Sequence, residues 1–218
     1  MSNEIKPIQP ADIALSGQSP APMSFTQTGN NGTQIGRAET VNNEIHVSVY
    51  DTSTIKPDGT IQRTSTQLSS EYYSLFVLGT GEPFEEIEGS FIVRGDRVLE
   101  RGYTDEEIRD AFIYLTDADR ETIKSYPALF MSENHDYGRT DEGQMAYWGR
   151  VTAISPHGKD TKIRYRFIKE IPQQKLNGLL EELCLLGANC FNELNRTHWA
   201  IKRVNLFEEL TDAHIDLF

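Results

Sequence analysis

A set of basic side chains in the second half of the chain has the chemistry needed to bind anions. Its members are Arg150, Lys162, Arg164, Arg166 and Lys169. An arginine on a rigid strand can bind a phosphate or a carboxylate through two parallel hydrogen bonds. The set therefore predicts a basic ridge that could bind nucleic acid or a nucleotide-sized anion. The alternative is an ordinary strand surface, because outward strand residues are commonly charged and basic side chains protect a sheet edge.

A polar segment before this region carries residue types that supply general acids, general bases or metal ligands. Glu133, His135 and Asp136 are its members. Metal sites need three or four convergent ligands, and the sequence contains neither an HExxH motif nor a CxxC pair. We therefore expect a polar loop here and no cofactor. A small metal-dependent hydrolase or nuclease is kept as the third hypothesis for function.

Two further patterns offer little support for catalysis. Cys184 and Cys190 have no histidine that sequence places beside them to activate a thiolate, so we expect buried structural thiols. Gly79-Thr80-Gly81 is followed by proline and glutamates, which excludes a dinucleotide fingerprint and a P-loop. The sequence also lacks a nucleophile elbow and the kinase motifs. It therefore supports no enzymatic activity.

The run from Asn192 to Lys202 is dense in side chains that make specific hydrogen bonds or stack. Two interpretations remain open. In the first, Asn195, Arg196, His198 and Trp199 contact a partner. In the second, Arg196 and His198 satisfy buried carbonyl groups while Trp199 anchors the last strand.

The elements that must position these side chains follow from local patterns. Alternation and β-rich runs predict strands at 45–50, 72–78, 91–93, 145–154, 161–168 and 198–204. In the fifth of these, Ile163, Tyr165 and Phe167 should enter the core, opposite the basic side chains. Apolar spacing and capping patterns predict helices at 105–115, 117–125 and 173–186, and a last helix from Asn205. Thr104 with Glu107 has the spacing of a capping box.

These elements predict an α+β fold. We expect a small, mostly antiparallel sheet or partly open barrel, packed by two or three helices. Residues 1–33, rich in proline and small polar side chains, predict a flexible N-terminal arm. Residues 34–70 should form a turn and strand segment with a polar loop, and residues 71–218 a single α+β core domain.

The composition limits the classes of partner and compartment. The chain has 218 residues with 33 acidic and 21 basic side chains, a formal charge of −12. Such a charge disfavours indiscriminate binding to nucleic acid or anionic lipid, so nucleic acid would need a local basic patch. There is no apolar run of the length that crosses a bilayer and no secretory signal pattern. We expect a cytoplasmic protein that does not bind membranes.

Several strings of the chain resemble an uncharacterised prokaryotic domain that is associated with accessory genes of mobile elements and antiphage defence loci. They are Tyr126 to Asn134, Tyr147 to Thr152, Ile171 to Leu176 and Glu193 to Lys202. The string from Gly29 to Gly36 is similar to short segments that precede domains in such proteins. The resemblance implies a setting and no particular chemistry.

Three hypotheses for function follow from these observations. The first is a non-enzymatic protein-interaction module, such as an adaptor, sensor or accessory subunit of a defence-related system, with a partner protein or a second copy of the chain bound. The arm and the segment from Thr28 to Tyr50 are the first contacts expected. The second is a β-domain that binds nucleic acid or a nucleotide through the basic hairpin. The third is the hydrolase named above.

Overall fold

A computed structural model describes residues 23–29, 32–41, 44–50, 54–55, 61–62, 65–79, 84, 86–188 and 190–218. Side chains are described at 46–49, 65–79, 84, 86–188 and 190–218. The strands are β1 Met23–Gly29, β2 Gly32–Val41, β3 Glu44–Tyr50, β4 Thr54–Ile55, β5 Ile61–Gln62, β6 Ser65–Gln67, β7 Tyr73–Leu78, β8 Glu88–Val93, β9 Pro127–Ser132, β10 Met145–His157, β11 Asp160–Pro172, β12 Gly187–Ala188, β13 Phe191–Asn192 and β14 His198–Lys202. The helices are α1 Glu106–Phe112, α2 Asp117–Lys124, α3 Gln173–Leu176 and α4 Leu206–Asp212, with 3-10 turns at Gly95–Arg97 and Glu193–Asn195.

Six of these strands form one main sheet, in the order β14-β7-β9-β10-β11-β8. All neighbours are antiparallel except β7 and β9, which run parallel. The sheet is open, because its edge strands β14 and β8 do not pair with each other. The predicted α+β class and the mostly antiparallel sheet are confirmed, and the sheet does not close into a barrel.

Both faces of the main sheet are buried at its centre. In β7, Tyr73, Leu75 and Val77 pack in one apolar cluster, while Phe76 and Leu78 pack in a second cluster on the other face. A strand that is buried on both faces reads as a continuous apolar run without alternation. The sequence prediction found β7 but missed β9, which has nearly the same burial pattern.

A smaller antiparallel sheet has the order β1-β2-β3-β6. Val47 and Val49 of β3 and Leu68 join the apolar cluster that contains Leu206 and Phe207 of α4. The segment predicted at 34–70 therefore contributes side chains to the same core as the rest of the chain. Residues 1–22 of the predicted arm lie outside the described residues, and β1 occupies part of the remainder.

Two of the helices begin at the capping residues that the sequence indicates. Thr116 and Asp119 form a capping box at α2, and Asn205 accepts a hydrogen bond from the Glu208 amide at α4, so both predicted helices are confirmed. The capping box predicted at Thr104 is wrong, because α1 begins after Asp105 and the Thr104 hydroxyl caps no amide.

The helix predicted at 173–186 is also wrong, since only Gln173–Leu176 is α-helical. The chain leaves the helix at Asn177, whose side chain is buried and bonded to Asn134 and Asn192. Leu176 and Leu183 nevertheless reach the core through turns. The apolar residues reach the core as their spacing predicted, but a series of turns places them there instead of a continuous helix.

The predicted hairpin is confirmed and consists of β10 and β11. It extends beyond the predicted residues both at its turn and at its open end. Register shifts follow Trp148 and Val151. Gly149 is required between them, because a Cβ there would overlap the Arg166 carbonyl oxygen.

Among the described residues, no helix is long and apolar enough to span a bilayer.

Candidate functional site

The predicted basic ridge is present only in part. Lys162, Arg164 and Arg166 lie on the face of β11 opposite the buried side chains Ile163, Tyr165 and Phe167. Arg166 pairs with Glu88 of the edge strand β8, which neutralises part of the ridge. Arg164 is exposed, and Lys162 is half-buried.

Arg150 lies opposite Arg166 in the β-ladder, but it is not part of an exposed ridge. Its side chain is buried and lines a cavity of about 350 Å³ beside Glu121, Lys124 and Ser125. Burial lowers the pKa of the Arg150 guanidinium. Arg150 therefore lies in the wall of a cavity and not on an exposed ridge.

Two of the three side chains considered for acid, base or metal chemistry, Glu133 and His135, have separate partners. Glu133 accepts hydrogen bonds from the amide and the hydroxyl of Thr197, the latter at 2.6 Å. His135 Nδ1 lies 3.8 Å from an Asp141 carboxylate oxygen on the surface. In the described part of the chain, no group of three or more His, Cys, Asp or Glu side chains is arranged to hold a metal ion.

The two cysteines also differ from expectation. Both Cys184 and Cys190 are exposed and carry free thiols. The segment around them turns sharply, with Cys184 at a φ of 53° and Gly187 at 104°. These turns bring both residues to the surface, while Leu185 between them is buried.

A buried ionic triad occupies the end of β14. Glu193, in the 3-10 turn before β14, is 1% exposed and contacts two basic side chains of that strand. Its Oε1 lies 2.9 Å from His198 Nε2, and its Oε2 lies 2.8 Å from Lys202 Nζ. Removing one partner of an ion pair that is buried this deeply strongly destabilises the fold.

The hydrogen bonds of His198 orient its ring. Its Nδ1 lies 2.7 Å from the Arg196 carbonyl oxygen, which can only accept, so Nδ1 carries a proton. Burial alone would raise the pKa of Glu193, but the hydrogen bond from His198 and the charge of Lys202 outweigh it and lower that pKa. Glu193 is therefore a carboxylate that accepts a hydrogen bond from Lys202 Nζ and contacts His198 Nε2.

The triad connects three parts of the chain. Glu193 Oε2 accepts from the Leu186 amide at 2.9 Å, and Lys202 Nζ donates to the Tyr103 carbonyl oxygen at 2.8 Å. The Tyr103 ring packs on His198, with 4.3 Å between the ring centroids. These contacts fix the hairpin of β12 and β13 to the main sheet.

A second buried network consists only of side-chain amides. Its members are Asn134, Gln173, Asn177 and Asn192. Asn134 and Asn177 exchange two hydrogen bonds of 2.9 and 3.0 Å, and Asn192 Nδ2 donates to Asn177 Oδ1 at 3.0 Å. Gln173 Nε2 donates to Asn134 Oδ1 at 3.1 Å. This amide network holds the end of the same hairpin from the other side.

In the polar run around residue 198, the buried residues fit the second interpretation, while contact with a partner stays a prediction. His198 and Trp199 are buried, and Trp199 stacks on Phe76 with 5.3 Å between the ring centroids. Asn195 accepts from the Asn192 amide. Arg196 alone of the four is exposed.

The two networks carry an exposed aromatic surface, which we define as Tyr137, Arg139, Cys190, Phe191 and Arg196. Tyr137 is 70% exposed and Phe191 is 43% exposed, with 6.3 Å between their ring centroids. The Arg196 guanidinium carbon lies 5.5 Å from the Phe191 centroid. Tyr137, Arg139 and Cys190 line a cleft of about 600 Å³ that reaches Asn177. Sequence reasoning missed Tyr137 and Phe191, because nothing local marks them as neighbours.

The lowered pKa of Glu193 predicts how stability depends on acid. In the unfolded chain this carboxyl has a pKa of about 4.3, so above that pH its stabilising contribution is complete. The contribution is lost as the pH falls through the lower folded pKa, because the unfolded state then binds more protons. Urea unfolding between pH 6 and pH 3 should show a steeper loss of stability in the wild type than in Glu193→Gln. Equal slopes would contradict this assignment.

A comparison with models of known protein families gives no match, and no curated protein or solved structure is significantly similar to the chain.

Proposed function

We propose that the protein is a non-enzymatic interaction module that binds a partner protein through the aromatic surface. The observation that carries this proposal is the pair of exposed rings, Tyr137 and Phe191, with Arg196 stacked on the second. Aromatic and arginine side chains are enriched where protein interfaces have most of their binding energy. Large exposed aromatic side chains on a rigid support are costly to keep in water and are typical of interaction sites.

The support beneath this surface is already ordered. The ionic triad and the amide network hold the β12 and β13 hairpin from two sides, so little ordering entropy is lost when a partner binds. Within the described residues, neither Arg139 nor Arg196 has an ion-pair partner. A partner that presents an apolar or aromatic side chain next to a carboxylate therefore fits the surface best.

The setting is proposed on two observations. The resemblance to accessory domains of mobile elements and antiphage loci supports a role as adaptor, sensor or accessory subunit of a defence-related complex. Two exposed free thiols, Cys184 and Cys190, suit a reducing cytoplasm.

Site-specific photo-crosslinking tests the proposal in living cells. With benzoylphenylalanine at position 137 or 191, we expect a discrete cross-linked product with a partner protein, because these side chains lie in the interface. Tyr114 is the matched control, since it is 83% exposed but outside the aromatic surface. Adding Arg196→Ala should weaken the product from position 191, since truncating an interface arginine commonly costs about 2 kcal/mol or more. The same product from position 114 would contradict the assignment of the surface.

A second candidate function rests on the remaining basic face of β11. Within the described residues, Lys162 and Arg164 make no ion pair, so they are available to a phosphate. Binding through them would weaken steeply between low and physiological salt and would be lost in the Arg164→Ala/Arg166→Ala variant. The buried Arg150 and the pairing of Arg166 with Glu88 make this face weaker than the sequence suggested.

A further inference from the structure

A second cleft lies on the other side of the ionic triad, and the proposed partner surface does not use it. Its volume is about 430 Å³, within the range of small-molecule pockets. It is formed by the segment 101–106, the end of β14 with Arg203, and the segment that contains Cys184 and Leu186. We call it the Thr104 cleft.

Lys202 provides a buried cation to this cleft. It lines the cleft while being only 5% exposed. Its ammonium group has three hydrogen-bond donors, and two of them are used by Glu193 and the Tyr103 carbonyl oxygen. One donor is left for a ligand.

Thr104 provides a hydroxyl group that makes no hydrogen bond within the described part of the protein. The side chain lines the cleft and is 5% exposed, yet its Oγ1 has no hydrogen-bond partner in the described structure. Buried hydroxyl groups in folded proteins are nearly always paired, so an unpaired one calls for an explanation. A ligand that accepts a hydrogen bond from it provides one.

The charges around the cleft favour an anion of low charge. Three basic side chains line it, Arg101, Lys202 and Arg203, against two acidic ones. At the rim, Arg101 lies 3.8 Å from Glu106 and Arg203 lies 3.8 Å from Glu71. The carboxylates of Asp105 and Glu106 also line the cleft and repel a dianion more strongly than a monoanion.

We propose that the Thr104 cleft binds a small monocarboxylate with a short apolar chain. The carboxylate accepts hydrogen bonds from Lys202 and Thr104, and the apolar chain lies against Ile108, Leu186 and Ile201, which line the same cleft. Such a ligand accepts hydrogen bonds from the donors that the protein leaves open, next to the basic side chains that line the cleft.

Butyrate is a suitable probe and butyramide is its neutral counterpart. We expect butyrate to shift the backbone amide resonances of residues 101–106 and 201–203 in two-dimensional NMR spectra at constant ionic strength, and butyramide to leave them unchanged. Inorganic phosphate should bind at least several-fold more weakly, because it is partly a dianion at neutral pH. Equal shifts with butyrate and butyramide, or tighter binding of phosphate, would overturn the proposal.

Thr104→Val tests the hydroxyl without leaving a cavity. The variant should fold at least as stably as the wild type, since it removes an unpaired buried hydroxyl, yet bind butyrate about tenfold more weakly. Thr152→Val makes the same change at an exposed position of β10 and should leave the affinity unaltered. Unchanged butyrate affinity in a folded Thr104→Val protein would rule out this site.

Discussion

Replacing Glu193 with glutamine is expected to lower the free energy of unfolding by about 3–5 kcal/mol. The amide keeps the size of the side chain but removes the one negative charge that His198 and Lys202 share. Both side chains then remain buried without the carboxylate that bonds to them. Urea unfolding at neutral pH, followed by tryptophan fluorescence, measures the change.

Two further variants separate buried charge from other causes. Glu121→Gln breaks an exposed pair with Lys124 and should cost less than about 1 kcal/mol. Adding Lys202→Met to Glu193→Gln removes the second buried charge and should restore part of the lost stability. A free energy of unfolding for Glu193→Gln within about 1 kcal/mol of the wild-type value would show that the triad does not hold the hairpin.

Replacing Asn134 with leucine is expected to cost about 2–4 kcal/mol, because several buried amide groups lose their partners at once. Asn134 Oδ1 accepts from Asn177 and Gln173, and its Nδ2 donates to Asn177 and Asn192. Leucine has a similar volume, so the loss reports hydrogen bonds rather than a cavity. Chemical denaturation gives the size of the effect.

The same variant should loosen the hairpin that carries Phe191. Hydrogen exchange at the Leu194 amide, which donates to Asn192 Oδ1, should accelerate in Asn134→Leu. Gln174→Leu is the matched control, because among the described residues this exposed amide bonds only to Thr140 and should change stability by less than about 1 kcal/mol. Unaltered exchange at Leu194 would show that the amide network does not support the aromatic surface.

The parts of the fold that could be predicted from sequence are those fixed by neighbours along the chain. The alternation from Lys162 to Phe167 was enough to predict β11 and its buried face. The capping residues of α2 and α4 were equally local. In each case the pattern and the contact that it makes lie within a few residues of each other.

The parts that failed depend on contacts between distant segments. The helix expected after Pro172 ends because Asn177 bonds to Asn134, which is 43 residues away along the chain. The strand β9 shows no alternation, since its two faces are covered by different parts of the chain. No local pattern contains this information.

The candidate site shows the same division. His198 could be singled out from its own run as a histidine that satisfies a buried carbonyl group, and it does bond to the Arg196 carbonyl oxygen. Glu193 gave no such signal, because its importance comes from burial under the hairpin. Tyr137 and Phe191 come from separate loops, so only the fold makes them neighbours.

Affinity purification at moderate salt, from the cells that produce the protein, tests most directly whether the aromatic surface binds a partner protein. The tagged wild type should be compared with Phe191→Ala/Arg196→Ala and with Arg164→Ala/Arg166→Ala. We predict that the wild type and the second variant retain the same stoichiometric partner protein with little absorbance from nucleic acid, and that the first variant retains none. Retention of that partner by all three proteins, or nucleic acid that is lost only in the second variant, would contradict the proposed function.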